Sequence, residues 1–557
     1  MSKITKAVAN QQEVNALQPD NIVKNFMGGD SYKINPLDTL KMVTASSIFG
    51  EPAYYRSSKL SGEYTESRFA AGHTILGSEY VGKSTEIVME QVIDDALDYD
   101  FGGTLDWAVT LRHDFYMRLN PQIIMTRAAV HPKRKEFTSK YPGSFNAINQ
   151  KVMSRPDEVM SQMAYYLYMN HGKKNNIPSI LKRSWAEDLH RRDAKNINKY
   201  KNHEIGMINA VRLCHAHSSV IDELMRTGAV TVRDDEKTWE QYRSEGKSWE
   251  WIIDNCRMGH MAMLRNIRGV FTEINDSEIC KKYMQRIKDT VATGMQFPFR
   301  YYSAIRAVKA SDCHNKVIIL DALEECMDIA LENFPKLKGK TMCLSDNSGS
   351  AWGTMNSEYG TVTIGEIDNL SSVITAMCSD EGYVGIFGDR LDVNPISHRN
   401  GVLHTAEKLS ASGGAHVGHN TEGGIWEFFK NAIENGEWWD NIFIYSDQQA
   451  GHGGLYGTEY QRSEYARMGY SCTETSPDVS VGHMINVFKL VMDYRKKVNP
   501  KVNVFSIQTA GYTNVVIPEM AYRTAILYGW TGKEAEFANE YIKLWDDVEN
   551  NSASKQN

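Results

Sequence analysis

The chain has 557 residues, 42% of them hydrophobic, and carries 62 basic against 69 acidic side chains for a formal net charge of −7. That length and apolar content imply two or more domains with large cores, and no apolar run reaches the ~18 residues of a membrane span. The 8 cysteines form no C-x-x-C pair and the 16 histidines no H-E-x-x-H spacing, which argues against a zinc ribbon, a disulfide scaffold or a zincin site and leaves buried, reduced thiols.

Residues 1–35 read as a flexible tail. The opening "MSKITKAVANQQEVNALQPDN" is polar and lacks a signal-peptide core, so a cytoplasmic protein with no membrane partner is expected. From about 83 to 334 the pattern is helical. "STEIVMEQVIDDALDYD" places Ile87, Val88, Val92, Ile93 and Leu97 on one face, and "HMAMLRNIRGVF" does the same with Met263, Leu264, Ile267, Val270 and Phe271. Pro, Gly and Asn interrupt these helices at short intervals. Many short amphipathic helices without a strand signal predict a HEAT-like stack of helix pairs.

After "FPKLKGK" the period changes. Short β-prone runs at 341–344, 383–387, 441–445 and 502–507 alternate with amphipathic helices, among them 421–434 and 480–495. Strand alternating with helix predicts a doubly wound, mostly parallel, Rossmann-like sheet. The expected layout is a multidomain α and α/β chain: a tail over 1–35, a helical-repeat domain over 36–337, an α/β domain over 338–547 and a C-terminal tail over 548–557.

Charge is uneven along the chain. From 339 onward there are 16 basic and 27 acidic residues, leaving 46 basic and 42 acidic for 1–338. Within 171–203 the count is 9 basic to 3 acidic. A basic stretch inside an acidic protein points to a polyanion-binding surface; a solvated helix face is the alternative. Lys182, Arg183, Arg191, Arg192, Lys195, Lys199, Lys201, Arg212 and His215 are the candidate phosphate contacts. His190 and His203 lie beside them. Tyr200, between two lysines, is placed either to stack on an unpaired base or to pack on its helix. Arg265, Arg268 and Arg300 are further candidates, whereas Lys133, Arg134 and Lys135 read as an ordinary solvated loop.

The stretch "TMCLSDNSGS" ends an apolar strand in an acid followed by serines at alternate positions. Ligands of doubly wound sheets bind beyond the carboxyl ends of the strands, where Asp346, Ser348 and Ser350 would present hard oxygen donors suited to Mg²⁺. Thr421, at the head of a predicted helix, and Asp447, after the strand "IFIYS", complete a set of five. A turn and helix cap is the alternative for the serines and Thr421. A haloacid-dehalogenase-type phosphatase needs a second Asp where Ser348 stands. There is no G-K-[ST] phosphate loop, no G-x-S-x-G elbow and no Cys/His nucleophile pair. The glycine-rich "SGGAHVGHNTEGG" and "AGHGGLYG" read as rim loops of the metal site.

Asp346, Ser348, Ser350, Thr421 and Asp447 together resemble the metal-ion-dependent adhesion site of a von Willebrand A domain, over about 339–545. Helical repeats followed by this domain resemble the Ro autoantigen family, whose shared region is called TROVE. The resemblance is carried by "FGEPAYYR" (49–56), "NKYKN" (198–202), "AVRLCH" (210–215), "MLRNI" (263–267), "FPFRYYSAI" (297–305) and "DNSGS" (346–350). Residues 57–160 diverge from the family. The K-Y-K segment is one residue shorter before its His and lacks the family's following Arg.

The resemblance implies a helical-repeat ring clasped by the A domain. It implies small noncoding Y-like RNA on the ring's basic outer surface and single-stranded 3′ ends of misfolded RNA in its hole. It further implies an exoribonuclease partner, no DNA, a monomer, a divalent cation (Mg²⁺) as cofactor, and an adaptor rather than an enzyme. Two alternatives stay open: a metal-dependent protein-binding scaffold without RNA, and a metal-assisted hydrolase of phosphoesters, which lacks an evident base.

Overall fold

In the computed structural model the described residues are chiefly 85–349, 362–446 and 487–509, with short segments at 22–24, 30–33, 35–45 and between 454 and 547. The chain forms two compact units, one of 35–65 and 80–247, the other of 1–34, 66–79 and 248–557.

The first unit is helical: α1 (Pro36–Ala45), α2 (Thr85–Tyr99), α3 (Phe101–His113), α4 (Asn120–Val130), α5 (Arg134–Lys140), α6 (Ser144–Val152), α7 (Glu158–Met169), α8 (Ser179–His190), α9 (Ala194–Lys199), α10 (Met207–Cys214), α11 (Ser219–Thr227) and α12 (Trp239–Ser244). Polar residues set the ends. Asp100, Asp193, Ser218 and Thr238 cap α3, α9, α11 and α12 by accepting a first-turn N–H. The buried face of α2 is Met89, Val92, Ile93, Ala96 and Leu97. Ile87, placed on that face by its spacing, is exposed instead, and the buried stripe runs from Met89.

A buried amide network fixes how α4, α6, α7 and α8 meet. Gln162 donates to Gln122 Oε1 (2.9 Å) and Asn149 Oδ1 (2.7 Å), and Trp185 Nε1 donates to Gln162 Oε1 (2.9 Å). Asn149 donates to Ser184 Oγ (2.9 Å), and Gln122 to the Val152 carbonyl (3.1 Å). Each bond is worth about 1 kcal/mol net, but a wrong register would strand several buried donors at once. The network thus sets which side of α8 faces water.

The second unit begins with helices: α13 (Trp249–Asn255), α14 (His260–Glu273), α15 (Ser277–Asp289), α16 (Val291–Gly294), α17 (Pro298–Lys309) and α18 (Lys316–Glu332). On α14 the predicted stripe of Met263, Leu264, Ile267, Val270 and Phe271 is buried. His260, at its first position, joins three helices. Thr290 Oγ1 donates to backbone carbonyls of α15 and therefore accepts from His260 Nδ1 (2.8 Å), which leaves Nε2 to accept from the Tyr301 hydroxyl (2.8 Å).

Strands follow from Leu337. The strands are β1 (Ile22–Lys24), β2 (Asp30–Lys33), β3 (Leu337–Asp346), β4 (Ser379–Phe387), β5 (Leu391–Pro395), β6 (Asn441–Ser446), β7 (Gly454–Leu455), β8 (His483–Met484), β9 (Asn503–Gln508), β10 (Asn514–Val515), β11 (Met520–Ala521) and β12 (Thr524–Tyr528). Seven form one sheet in the order β11-β12-β9-β6-β3-β4-β5, parallel from β12 to β4, with antiparallel edges β11 and β5. The interleaved helices are α19 (Ile364–Met377), α20 (Val402–Val417), α21 (Glu422–Asn435) and α22 (Val487–Lys497). This is a doubly wound, Rossmann-like sheet with β3 at its centre.

The helices from 248 group with the sheet through specific polar contacts. Tyr302 and Arg306 reach Glu366, Lys309 reaches Glu407 (2.6 Å), and Asp328 accepts from the Val402 N–H (3.1 Å). The change from helix to strand near 337 therefore lies inside a compact unit. Seven cysteines are described; all are free thiols and six are buried.

Candidate nucleic-acid interface and metal-site loop

The basic segment separates into two kinds of cation. On α8, Leu181, Trp185 and Leu189 are buried, which turns Arg183 to solvent and leaves Lys182 half-buried. Arg212 is exposed on α10 opposite Met207, Ala210 and Val211. Lys182, Arg183, Lys201 and Arg212 make no ion pair among the described residues. Lys195 is exposed, with Glu236 as its electrostatic neighbour. His215 ends α10 in a left-handed conformation (φ 59°) and is exposed.

Arg191 and Arg192 serve the fold. Both guanidiniums converge on Asp188, which is fully buried, and both also donate to the Met153 carbonyl at the end of α6 (2.7 and 3.0 Å). Burial raises the Asp188 pKa against the pull of the two arginines. Lys199 is held by Glu240 on α12 (2.7 Å), and its ammonium lies 5.6 Å from the Tyr200 ring centroid. The Tyr200 hydroxyl accepts from Arg155 (3.0 Å), which also binds Asp157 (3.1 Å). His203 lies outside the described residues.

The second unit holds the other three candidates. Arg265 and Arg268 are exposed on α14, away from its buried stripe. Arg268 borders an open cavity of about 490 Å³ with Thr272, Ala307, Ala310 and Ser311. Arg300, on α17, is half-buried. Lys133, Arg134 and Lys135 do not form a loop: they begin α5, which Phe137 anchors against Phe101 (5.1 Å between ring centroids).

The loop after β3 has a different construction. Asp346 ends the central strand and is fully buried. One carboxylate oxygen accepts from the Ser348 N–H (2.9 Å), and the other from the Ser446 hydroxyl at the end of β6 (2.7 Å). Burial raises its pKa, and these bonds offset part of that rise. No cationic side chain pairs with it among the described residues, so its neighbours are hard oxygen donors that suit a divalent cation. Ser350, Thr421 and Asp447 lie outside the described residues.

Behind Asp346 sits a reciprocal amide pair. Asn347 donates to Asn369 Oδ1 (2.8 Å) and Asn369 donates to Asn347 Oδ1 (3.0 Å). Asn347 also reaches the Ser345 carbonyl (3.1 Å), and Trp352 Nε1 donates to Asn347 Oδ1 (3.1 Å). Glycines bring α21 close to this end of the sheet. A Cβ on Gly423 would lie 2.4 Å from the Asp389 carbonyl oxygen, and one on Gly424 would lie 2.5 Å from Phe387 Cβ. These two serve close packing rather than a loop rim.

Sequence reasoning missed Ser446 and Glu240, which lie 100 and 41 residues from their partners. Asp188 was missed as well, although it stands only three and four residues before its arginines, at the end of α8.

A helical-repeat region followed by a doubly wound, Rossmann-like domain defines the class. The TROVE domain family model matches residues 225–318. The crystal structure of the Deinococcus radiodurans RO (RSR) protein is similar to this chain with a TM-score of 0.52 and 13% identity, covering 86% of this chain and 99% of that one. No curated protein sequence matches the chain. The resemblance to the Ro/TROVE family is borne out by the family model and the shared fold.

Proposed function

We propose that the chain is an RNA-binding protein of the Ro type. The TROVE match at 225–318 carries this reading, and cations that make no ion pair among the described residues supply the chemistry. Lys182, Arg183, Lys201 and Arg212, with Lys195 and His215, take the phosphates of a small structured, Y-like RNA. Each neutralised phosphate releases counterions, so affinity falls steeply with salt. Arg265, Arg268 and Arg300 take single-stranded 3′ ends of misfolded RNA. The protein acts as a cytoplasmic, monomeric adaptor in RNA quality control, alongside an exoribonuclease, without catalysis of its own.

Asp346 and Ser348 would hold a divalent cation with Ser350, Thr421 and Asp447. Bound Mg²⁺ supplies a Lewis-acidic docking point for a partner's carboxylate. The buried Asp346 carboxylate, met by the Ser348 N–H and the Ser446 hydroxyl, favours this second, protein-binding role on the α/β domain.

RNA crosslinked to the protein in its native cells and sequenced tests the reading. A dominant small structured RNA with fragments bearing free 3′ ends is expected. Recovery no better than a non-binding control overturns RNA binding and leaves the protein-binding role.

A further inference from the structure

The stretch "HPKRKEFTSKY" forms a built corner of the helical unit. The helix α5 buries none of its residues, yet it is held firmly. Phe137 packs on Phe101 and on Tyr141, at centroid distances of 5.1 and 5.3 Å. The Lys133 ammonium bonds the Asp98 carbonyl at the end of α2. Tyr141 closes α5, its N–H on the Phe137 carbonyl (2.8 Å), and Gly143 at φ 82° turns the chain into α6.

The result is a fixed but open aromatic ring. Tyr141 is 46% exposed, its ring tilted at 51° to that of Phe137, and the Lys140 ammonium lies over the ring, 5.2 Å from its centroid. Lys135 and Lys140 are exposed and make no ion pair among the described residues. Of the nearby acids, Asp98 faces Lys133 (4.0 Å) and His131 (3.6 Å), Asp100 accepts from the Gly103 N–H (2.9 Å), and Glu136 stands exposed in the first turn of α5. The adjoining α6 is tied to α8 by Asn146 donating to Glu187 (2.8 Å). Arg183, which makes no ion pair among the described residues, lies one helical turn before Glu187 on α8.

We propose that this corner is a stacking platform for an unpaired nucleotide of a bound RNA, with Lys135 and Lys140 on its phosphates. The proposal rests on the RNA-binding reading above and extends the contact surface to Tyr141. An exposed π-face takes any base. A ring already held by Phe137 loses little freedom when a base settles on it.

The test uses the full chain and two synthetic RNAs: a blunt hairpin, and the same hairpin with a short uridine tail. Tyr141→Ala is expected to weaken the tailed RNA about tenfold and leave the blunt one unchanged, while Tyr141→Phe retains wild-type affinity. Lys135→Glu with Lys140→Glu, both on exposed positions, should flatten the salt dependence of the tailed RNA by ~0.7 per lost phosphate. A photoreactive thiouridine in the tail should crosslink to residues 136–143. Unchanged tailed affinity in Tyr141→Ala and in the double lysine variant, with Arg183→Glu weakening both hairpins, overturns the platform and keeps RNA binding. Failure of the wild-type chain to bind either hairpin overturns both.

Discussion

The basic segment of the helical unit and the loop after β3 use polar side chains in opposite ways. Around α8 to α10, Arg183 and Arg212 are exposed and make no ion pair among the described residues, while Arg191 and Arg192 are tied to one buried carboxylate. At the end of β3, Asp346 and Asn347 and, facing them from α19, Asn369 are all fully buried, and each one's partner restrains the next. An exposed cation is replaceable in the fold and indispensable to a polyanion. A buried polar group is the reverse, unless a ligand also uses it. Sequence composition cannot tell the two apart, since it weights Arg183 and Arg191 equally.

Four variants and one titration test that contrast. Asp188→Ala should have the largest effect, about 3–5 kcal/mol of the helical unit's stability, because it leaves two guanidiniums without their carboxylate; denaturant unfolding measures it. Asn369→Leu should cost about 1–3 kcal/mol by stranding Asn347 and Ser345 in the sheet's interior, read as a lower melting temperature. Asn369→Leu should also weaken Mg²⁺ binding, followed by calorimetry. Arg183→Glu with Arg212→Glu should leave melting unchanged and weaken RNA by roughly tenfold or more at moderate salt. Equal RNA affinity in that variant would place the interface elsewhere.

The titration concerns His260. Burial lowers its pKa from 6.5, so the unfolded chain takes up this proton at a higher pH than the folded one. Its neutral-state stability is complete above 6.5 and declines as pH falls from 6.5 toward the depressed folded value. Melting across that window should show a loss that His260→Gln reduces. The smallest effect belongs to Glu240→Gln. Releasing Lys199 should raise RNA affinity by a few-fold and cost under about 1 kcal/mol, since the pair is partly exposed.

Much of the fold was legible from period alone. The runs at 341–344, 383–387, 441–445 and 502–507 lie within or across β3, β4, β6 and β9, because both faces of a parallel strand are covered and must be apolar. The stripe of α14 was legible for the same reason at helical spacing. The edge strand β5, "LDVNP", was not: it is short, half-exposed and ends in Pro395, so it has neither a buried run nor a clean alternation. Of the candidate site, residue types were legible and pairing was not. Lys199 and Glu240 meet across 41 positions, a contact that only tertiary packing creates. The helix α5 was hidden because its one anchor, Phe137, sits among six polar residues in a row of seven.

The Asn347–Ser348 step has a chemical consequence of its own. An asparagine followed by a small residue ages by deamidation, when the next backbone nitrogen attacks the side-chain carbonyl carbon to close a succinimide. Here that nitrogen donates to Asp346 (2.9 Å), and the Asn347 amide is held by Asn369 and Trp352. Ring closure needs both to let go. Isoaspartate at 347 would therefore record, molecule by molecule, how often this loop has opened during the life of the protein.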